Sequence, residues 1–318
     1  MRLLACLLLS TACCASWAHG YPERAINMVT GFAAGGSLDV IVRQVAQSLS
    51  AELGQPVTVE NRTGATGTIA ASYVARSAPD GYTLLFGVAG NLAVAPATMK
   101  SVDYDPVTAF APISEVARGP YVLVVNAGLP VKNLQELVAY ARQRPGALNY
   151  GSSGMGSVQH FAGDMLSRAA GLDMVHVPYK GGGQSYPALM AGDIHLLFDT
   201  MPGPQIFAQS GKVKPLAVTG EQRLKTYPDV GTFAEQGYPA VDVRFMYGVV
   251  APAGTPAPIV QTLNKALHKA LLTKEMKASM AHQELEPSPG TPQAFGQLIA
   301  TEARRWKEIV KATGFEPQ

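Results

Sequence analysis

The sequence predicts an α/β fold arranged as two lobes, and three observations carry that expectation. Short apolar strands alternate with helices of 3.6-residue period. Glycine-rich turns separate strand from helix, and the strand, turn, helix unit occurs in two matched pairs, one early and one near the middle of the 318-residue chain. Hydrophobic residues make up 47% and charged residues only 15%, so the chain has a large core to bury and is not disordered.

Ile26 to Thr30 reads as the first strand. The turn Gly31-Phe32-Ala33-Ala34-Gly35-Gly36-Ser37 leads into a helix with Leu38, Ile41, Val42, Val45, Leu49 and Leu53 on one face and Gly54 at its end. The second unit is a strand at Val57 to Glu60, the loop Asn61-Arg62-Thr63-Gly64-Ala65-Thr66-Gly67, and an Ala-rich helix to about Arg76; a strand at Thr83 to Phe86 follows. In the middle of the chain, strand Leu148 to Tyr150 enters Gly151-Ser152-Ser153-Gly154-Met155-Gly156-Ser157. The next helix is lined by Val158, Phe161, Ala162, Met165, Leu166 and Ala169 and closed by Gly171. The fourth unit runs from Met174 to Val177 through Pro178-Tyr179-Lys180-Gly181-Gly182-Gly183-Gln184 into a short helix and Gly192. Strand Ile194 to Phe198 then delivers Asp199. Pro258 to Leu272 and Pro292 to Lys311 read as helices that pack back on the first lobe.

Residues 1–20 read as an export signal: Met1-Arg2 is a positive start, Leu3 to Ala15 is mostly apolar, and Ala18 and Gly20 suit a cleavage point. The run is too short to span a bilayer. All three cysteines (Cys6, Cys13, Cys14) lie inside it, so the mature chain is expected to lack disulfides, thiolate nucleophiles and Cys-held metal. A lipid anchor on Cys13 is disfavoured because Ser10-Thr11-Ala12 lacks the usual leucine. Losing Arg2 leaves 24 basic residues of the original 25 against 23 acidic ones. With no basic cluster, nucleic acid is not an expected partner.

The turns carry the chemistry. Ligands of open α/β sheets sit beyond the carboxyl ends of strands, where helix N-termini present unpaired N–H groups and a dipole that favours an anion. Ser37, Thr63, Thr66, Ser152, Ser153 and Ser157 add hydroxyls at the same places. Taken singly, each turn is an ordinary cap; four in two matched pairs point to an anion clamp. The enzyme readings are weaker. Gly31 to Ser37 spaces like a phosphate loop, yet Ser37 stands where the lysine belongs. No dinucleotide fingerprint is present, and Gly151-Ser152-Ser153-Gly154-Met155 fails the nucleophile-elbow pattern at its last position. Ser157 and His160, one helical turn apart, leave a secreted hydrolase of acidic substrates as the competing reading. His176, His195, His268 and His282 show no metal-ligand spacing, and no cofactor is expected.

Many short motifs, in order and in register, carry a resemblance. They are Tyr21-Pro22-Glu23-Arg24, Gly31 to Asp39, Glu60-Asn61-Arg62 with the Gly64 to Gly67 loop, and Ala78-Pro79-Asp80-Gly81-Tyr82-Thr83-Leu84. Tyr150 to Gly154, Pro178 to Gly183 and Ala251-Pro252-Ala253-Gly254-Thr255-Pro256 complete the set. Together they resemble the Bug receptors, extracytoplasmic solute-binding components of tripartite tricarboxylate transporters, over about residues 21–318. The resemblance implies a type II periplasmic-binding-protein fold that closes on a hinge, usually monomeric. It also implies a small carboxylate, dicarboxylate, tricarboxylate or acidic amino acid as ligand, and delivery to membrane permease subunits in the periplasm; a purely signalling receptor is the other reading. Lobe one would span 21–120 and 245–318, and lobe two 121–244.

Carried onto this chain, the implied ligand-binding positions in lobe one are Phe32, Ala34, Gly35, Gly36, Ser37, Gly64, Ala65, Thr66 and Gly67. In lobe two they are Ser152, Ser153, Gly154, Ser157, Tyr179 and Gly181. Asp199 joins them as a selectivity candidate, because a carboxylate beside the cleft repels a second anion and pairs with an amine; its plainer alternative is a loop anchor. Asp39 reads as a dipole complement in its helix. The chain departs from the family pattern at Thr63, where proline is frequent, at Thr66, where glycine is frequent, and at Leu38, where a polar residue is frequent. These departures bear on ligand choice.

Overall fold

The computed structural model describes residues 20–317 apart from Ala33, Gly35, Gly36, Lys180, Gly181, Pro202 and Glu284. The expected export signal and its cysteines therefore lie outside the described residues, as do Gly35, Gly36 and Gly181 of the expected ligand set.

The first half of the chain builds strands β1 (Ile26–Thr30), β2 (Val57–Asn61), β3 (Thr83–Val88) and β4 (Phe110–Pro120), with helices α1 (Ser37–Leu53), α2 (Thr68–Ala75) and the one-turn α3 (Ala95–Thr98). The middle contributes β5 (Val122–Asn126), α4 (Leu134–Arg142), β6 (Leu148–Ser152), α5 (Val158–Ala170) and β7 (Met174–Pro178). It continues with α6 (Gly182–Ala191), β8 (Leu196–Asp199), α7 (Gly203–Ala208) and β9 (Val213–Val218). The chain closes with β10 (Arg244–Pro252), α8 (Ala257–Leu272), α9 (Lys274–Ala281) and α10 (Pro292–Thr313). The expected strand at Ile26 to Thr30 and the α1 face are present; on α5 Val158, Phe161, Ala162 and Leu166 are buried as expected, but Ala169 is exposed and Ala170 takes the inward position. β3 and β6 each run two residues further than the sequence pattern indicates, β8 starts at Leu196 instead of Ile194, and α9 is an addition.

Two five-stranded sheets result, with orders β2-β1-β3-β10-β4 and β7-β6-β8-β5-β9. In each, four strands run in one direction and the fourth in spatial order runs antiparallel to both neighbours. That fourth strand, β10 or β5, is in both cases the first strand after the chain crosses from one sheet to the other. Each lobe thus takes a strand from the segment that has just left its partner.

Strand alternation divides the core by faces. Met28, Leu84 and Phe86 pack with the apolar stripes of α1 and α8, while Val29, Leu85 and Val250 on the opposite face pack with Ala70, Ala71 and Val74 of α2 and with Phe295 and Ile299 of α10. The α1 stripe expected from the sequence is buried at Ile41, Val42, Val45 and Leu49, with Leu38 and Leu53 partly buried beside it. In the second sheet Val122, Val124 and Leu197 face Tyr186 and Leu189 of α6, and Leu123, Val125, Leu196 and Phe198 face α4 and α5.

Three of the places where the lobes meet bear on how they are joined. At the crossovers, the Thr219 hydroxyl accepts the Tyr121 N–H at 2.8 Å and donates to the Val243 carbonyl at 2.6 Å, so one buried side chain ties the outgoing connection to the returning one. Along the core, Trp306 of α10 packs edge-on against Phe161 of α5 at 5.4 Å between ring centroids. At the chain end, Phe315 meets His160 and Phe161 edge-on at 5.7 and 5.3 Å, and the Thr313 carbonyl accepts from Arg168. Among the described residues no helix is long and apolar enough to cross a membrane.

Candidate functional site

In lobe one the carboxyl ends of β1, β2 and β3 converge. A Cβ on Gly31 would lie 2.3 Å from the Gly67 Cα, so the first two turns touch backbone to backbone and only glycine fits. Asn61 locks the first turn to the second strand: its side-chain amide donates to the Phe32 carbonyl and to the Asp39 carboxylate, both at 2.9 Å. Asp39 is buried and also accepts from Arg43 at 2.8 Å, which gives it a structural task. Residues Gly64, Ala65, Thr66 and Gly67 all hold positive φ, at 129°, 46°, 56° and 85°. Two are not glycine, and left-handed backbone there costs roughly 1–2 kcal/mol each. Such strain survives where surrounding structure enforces it, and it gathers at binding sites.

A third lobe-one turn was not read from the sequence. β3 runs on to Val88 and enters a wide helical turn at Gly90–Val94. Fully buried Asn91 accepts the Val88 N–H at 2.9 Å and donates to the Gly67 carbonyl at 3.3 Å, joining this turn to the second. The signal was present in the Gly87 and Gly90 pair flanking a strand end, but Val88, Ala89 and Leu92 to Val94 read as one apolar run.

In lobe two the ends of β6, β7 and β8 do the same. The Tyr179 N–H donates to the Ser152 carbonyl at 2.9 Å, and the half-buried Tyr179 ring lies over Gly151. A shallow recess opens here, lined by Gly151, Ser152, Ser153, Gln159, Ser185, Leu197, Phe198 and Asp199. Ser185 and Gln159 were not read from the sequence; Ser185 sits one turn inside α6 and carries no distinguishing pattern. Ser153 donates to Gln159 at 2.9 Å.

Ser157 caps α5: its hydroxyl accepts the His160 backbone N–H and donates to the Gly154 carbonyl at 2.7 Å. The His160 imidazole instead accepts the Gly156 N–H through Nδ1 at 3.2 Å. The spacing that suggested a nucleophile and its base is therefore a helix cap. A different serine meets a histidine, Ser152 Oγ lying 2.6 Å from His176 Nε2. Among the described residues His176 Nδ1 has no partner, so none of their carboxylates orients the ring as a hydrolytic triad requires. Burial, reinforced by the adjacent His160, holds the His176 pKa down to about 4; burial also lowers that of His160, against the pull of Asp164.

Asp199 lies half-buried at the recess wall. Its carboxylate accepts the Thr200 N–H at 2.8 Å and packs on Gly203, where a Cβ would stand 2.5 Å from Oδ2. The Tyr186 hydroxyl lies against the same carboxyl without closing a hydrogen bond of normal geometry. Burial pushes the Asp199 pKa up to about 6, opposed by Thr200 and Tyr186. Asp199 thus anchors its own loop while presenting to the recess.

The two clusters lie on the same side of the hinge. Val88 at the end of β3 pairs with Tyr247 of β10, whose phenol lies against Thr200, the residue after Asp199. Across the gap the Thr98 hydroxyl reaches the Gly156 carbonyl at 3.5 Å. The N-termini of α1, α2, α5 and α6 each follow one of these turns directly. Of the expected positions, Phe32, Ala34, Ser37 and Gly64 to Gly67 belong to the lobe-one cluster, and Ser152, Ser153, Gly154, Ser157, Tyr179 and Asp199 to that of lobe two. Among the described residues no group of three His, Cys, Asp or Glu side chains is placed to hold a metal ion.

Three solved structures are similar along nearly the whole chain. The periplasmic binding protein BugD is 36% identical with a TM-score of 0.85, and 94% of this chain covers 100% of it. Rpa4515 of R. palustris, solved with adipate, is 35% identical with a TM-score of 0.87 at the same coverage. MatC of Rhodopseudomonas palustris, solved with malate, is 32% identical with a TM-score of 0.83, and 91% of this chain covers 100% of it. Of the three, BugD is a periplasmic binding protein. The model for the tripartite tricarboxylate transporter family receptor matches residues 41–315, and with that match the chain belongs to this family of solute-binding receptors.

Proposed function

We propose that the chain is exported to the periplasm with residues 1–20 removed, and that it captures a small carboxylate between lobe one (21–120 with 245–318) and lobe two (121–244) for transfer to the permease subunits of a transporter. The observation that carries this reading is the convergence of strand ends and helix N-termini from both lobes on one gap. The adipate and malate held by Rpa4515 and MatC support a dicarboxylate. Hydrogen bonds to a charged ligand contribute about 1.5–3 kcal/mol each. Half a dozen from the turn amides and hydroxyls offset an association cost of ~4–15 kcal/mol. Phe32, Ala34, Gly35, Gly36, Ser37 and Gly64 to Gly67 supply the lobe-one share; Ser152, Ser153, Gly154, Ser157, Tyr179 and Gly181 supply the other. Closure about the Thr219 tie traps the ligand, whose contacts favour the closed population. The receptor works as a monomer, without catalysing a reaction.

A thermal-shift screen of the mature protein against malate, adipate, succinate, citrate and aspartate tests the reading. A ligand at 100 times its dissociation constant stabilises by about 2.7 kcal/mol. No shift with any of the five sinks the carboxylate assignment. Asp199 is the selectivity residue: Asp199→Asn shifts preference from aspartate toward succinate, and titrations with an unchanged ratio remove that role.

A further inference from the structure

The turn at 152–157 is held from behind by two stacked imidazoles, and their hydrogen bonds differ in direction. The His160 and His176 rings lie 4.1 Å apart at 30°, too close for both to carry charge. His160 Nδ1 accepts the Gly156 N–H, so its proton is on Nε2. His176 reaches Ser152 Oγ through Nε2 at 2.6 Å, and its Nδ1 is buried with no partner among the described residues. A buried N–H without an acceptor is rarer and costlier than an acceptor lacking a donor. The bare nitrogen is therefore Nδ1, and the proton sits on Nε2.

That tautomer fixes what Ser152 can do. Its oxygen receives the His176 Nε2–H and the Gly154 N–H, the latter at 3.0 Å, which fills its accepting capacity. The hydroxyl proton is then the one group left to give. In this structure it is directed at the Gly154 carbonyl at 2.9 Å, and rotation about the Cβ–Oγ bond turns it to the recess that Ser152 lines. The geometry points to His176 as a positioning residue that makes Ser152 an obligate hydrogen-bond donor to an anionic oxygen of the ligand, with His160 fixing the adjoining amide. With the opposite tautomer, the Ser152 proton would be spent on the imidazole and the oxygen would meet a carboxylate lone pair to lone pair. Both rings stay neutral near pH 7, since burial lowers both their pKa values. The inference rests on the carboxylate reading above and adds to it which group of lobe two recognises the charge and what sets its polarity.

The test has two arms. Long-range nitrogen–proton NMR of 15N-histidine-labelled mature protein reads the His176 tautomer without any ligand; the Nε2–H pattern is expected, and an Nδ1–H or cationic pattern overturns the inference. Calorimetric titration with malate and with adipate then compares wild type, His176→Phe and His176→Gln. The Phe variant keeps a ring for stacking and loses the donor, so affinity falls about tenfold or more, whereas the Gln amide restores a donor and most of the affinity. Equal affinity of the Phe variant and wild type overturns the inference while leaving the carboxylate reading intact. If wild type binds none of the five acids of the screen, the carboxylate reading fails and takes the role of Ser152 with it, and the NMR arm still decides the tautomer. Melting temperatures of the variants identify any that misfold, and Ser152→Ala, which removes the donor itself, then supplies the expected loss.

Discussion

Replacing Thr219 by valine isolates the tie between the two crossovers. Valine keeps the shape and the branched Cβ, so packing at this fully buried position is unchanged and only the hydroxyl is lost. Two buried groups then lack partners, the Tyr121 N–H and the Val243 carbonyl, which Thr219 Oγ1 holds at 2.8 and 2.6 Å. Leaving a buried polar group unsatisfied costs about 1–3 kcal/mol, so the pair comes to roughly 2–4 kcal/mol after partial relaxation. The Thr219 N–H to Tyr121 carbonyl bond at 2.8 Å survives and keeps the strand ends in register. For a chain of this size the loss corresponds to a melting temperature lower by roughly 3–6 °C. Urea unfolding of the mature protein gives the free energy directly, with a lower midpoint and an unchanged slope. Thr219→Ser keeps the hydroxyl and loses one methyl, costing about 1 kcal/mol. A valine variant within about 0.5 kcal/mol of wild type, or a serine variant as damaged as the valine one, refutes the reasoning.

Two further outcomes follow from the site. Asp199 holds its proton to about pH 6 when folded, against a carboxylate value near 3.9 when unfolded, so the native state binds more protons in between. Its contribution is complete below the unfolded value and fades as pH rises toward 6, an effect of order 2–3 kcal/mol; Asp199→Asn should flatten the corresponding part of a pH–stability curve, and a curve of unchanged shape counts against it. Thr66 has φ of 56°, so Thr66→Gly relieves a strain of roughly 1–2 kcal/mol against a chain-entropy cost of about 0.5–1 kcal/mol. The expected result is a small gain in melting temperature, and a clear loss would mean that the threonine side chain earns its place through contacts.

The fold was legible wherever pattern and punctuation coincide. α1 shows why: its stripe, its following Gly54 and the preceding glycine turn all agree, and the structure places Ile41, Val42, Val45 and Leu49 in the core. α5 is equally plain, from Ser157 at its start to Gly171 in left-handed backbone at its end. The candidate site was legible in its turns, because glycine and hydroxyl residues next to strand ends mark themselves. What stayed hidden was pairing across sequence distance. Nothing local announces that Thr219 would bridge Tyr121 and Val243, that Asn91 would brace Gly67, or that His176 rather than His160 would meet a serine. Such contacts depend on which strand ends the sheet order makes neighbours. The helical spacing of Ser157 and His160 could not decide between a catalytic pair and a helix histidine, since it fixes the two backbones relative to each other but leaves the ring free to turn toward Gly156.

The Trp306 and Phe161 contact has a consequence for how the molecule comes apart. The apolar interior of the first lobe passes without a break through Tyr121, Phe245 and Trp306 into that of the second. The two lobes are therefore not separate units of assembly. Heating should melt both together in a single calorimetric peak, and a fragment carrying residues 121–244 alone, stripped of the tryptophan and of Phe315, would expose the flank of α5 to water.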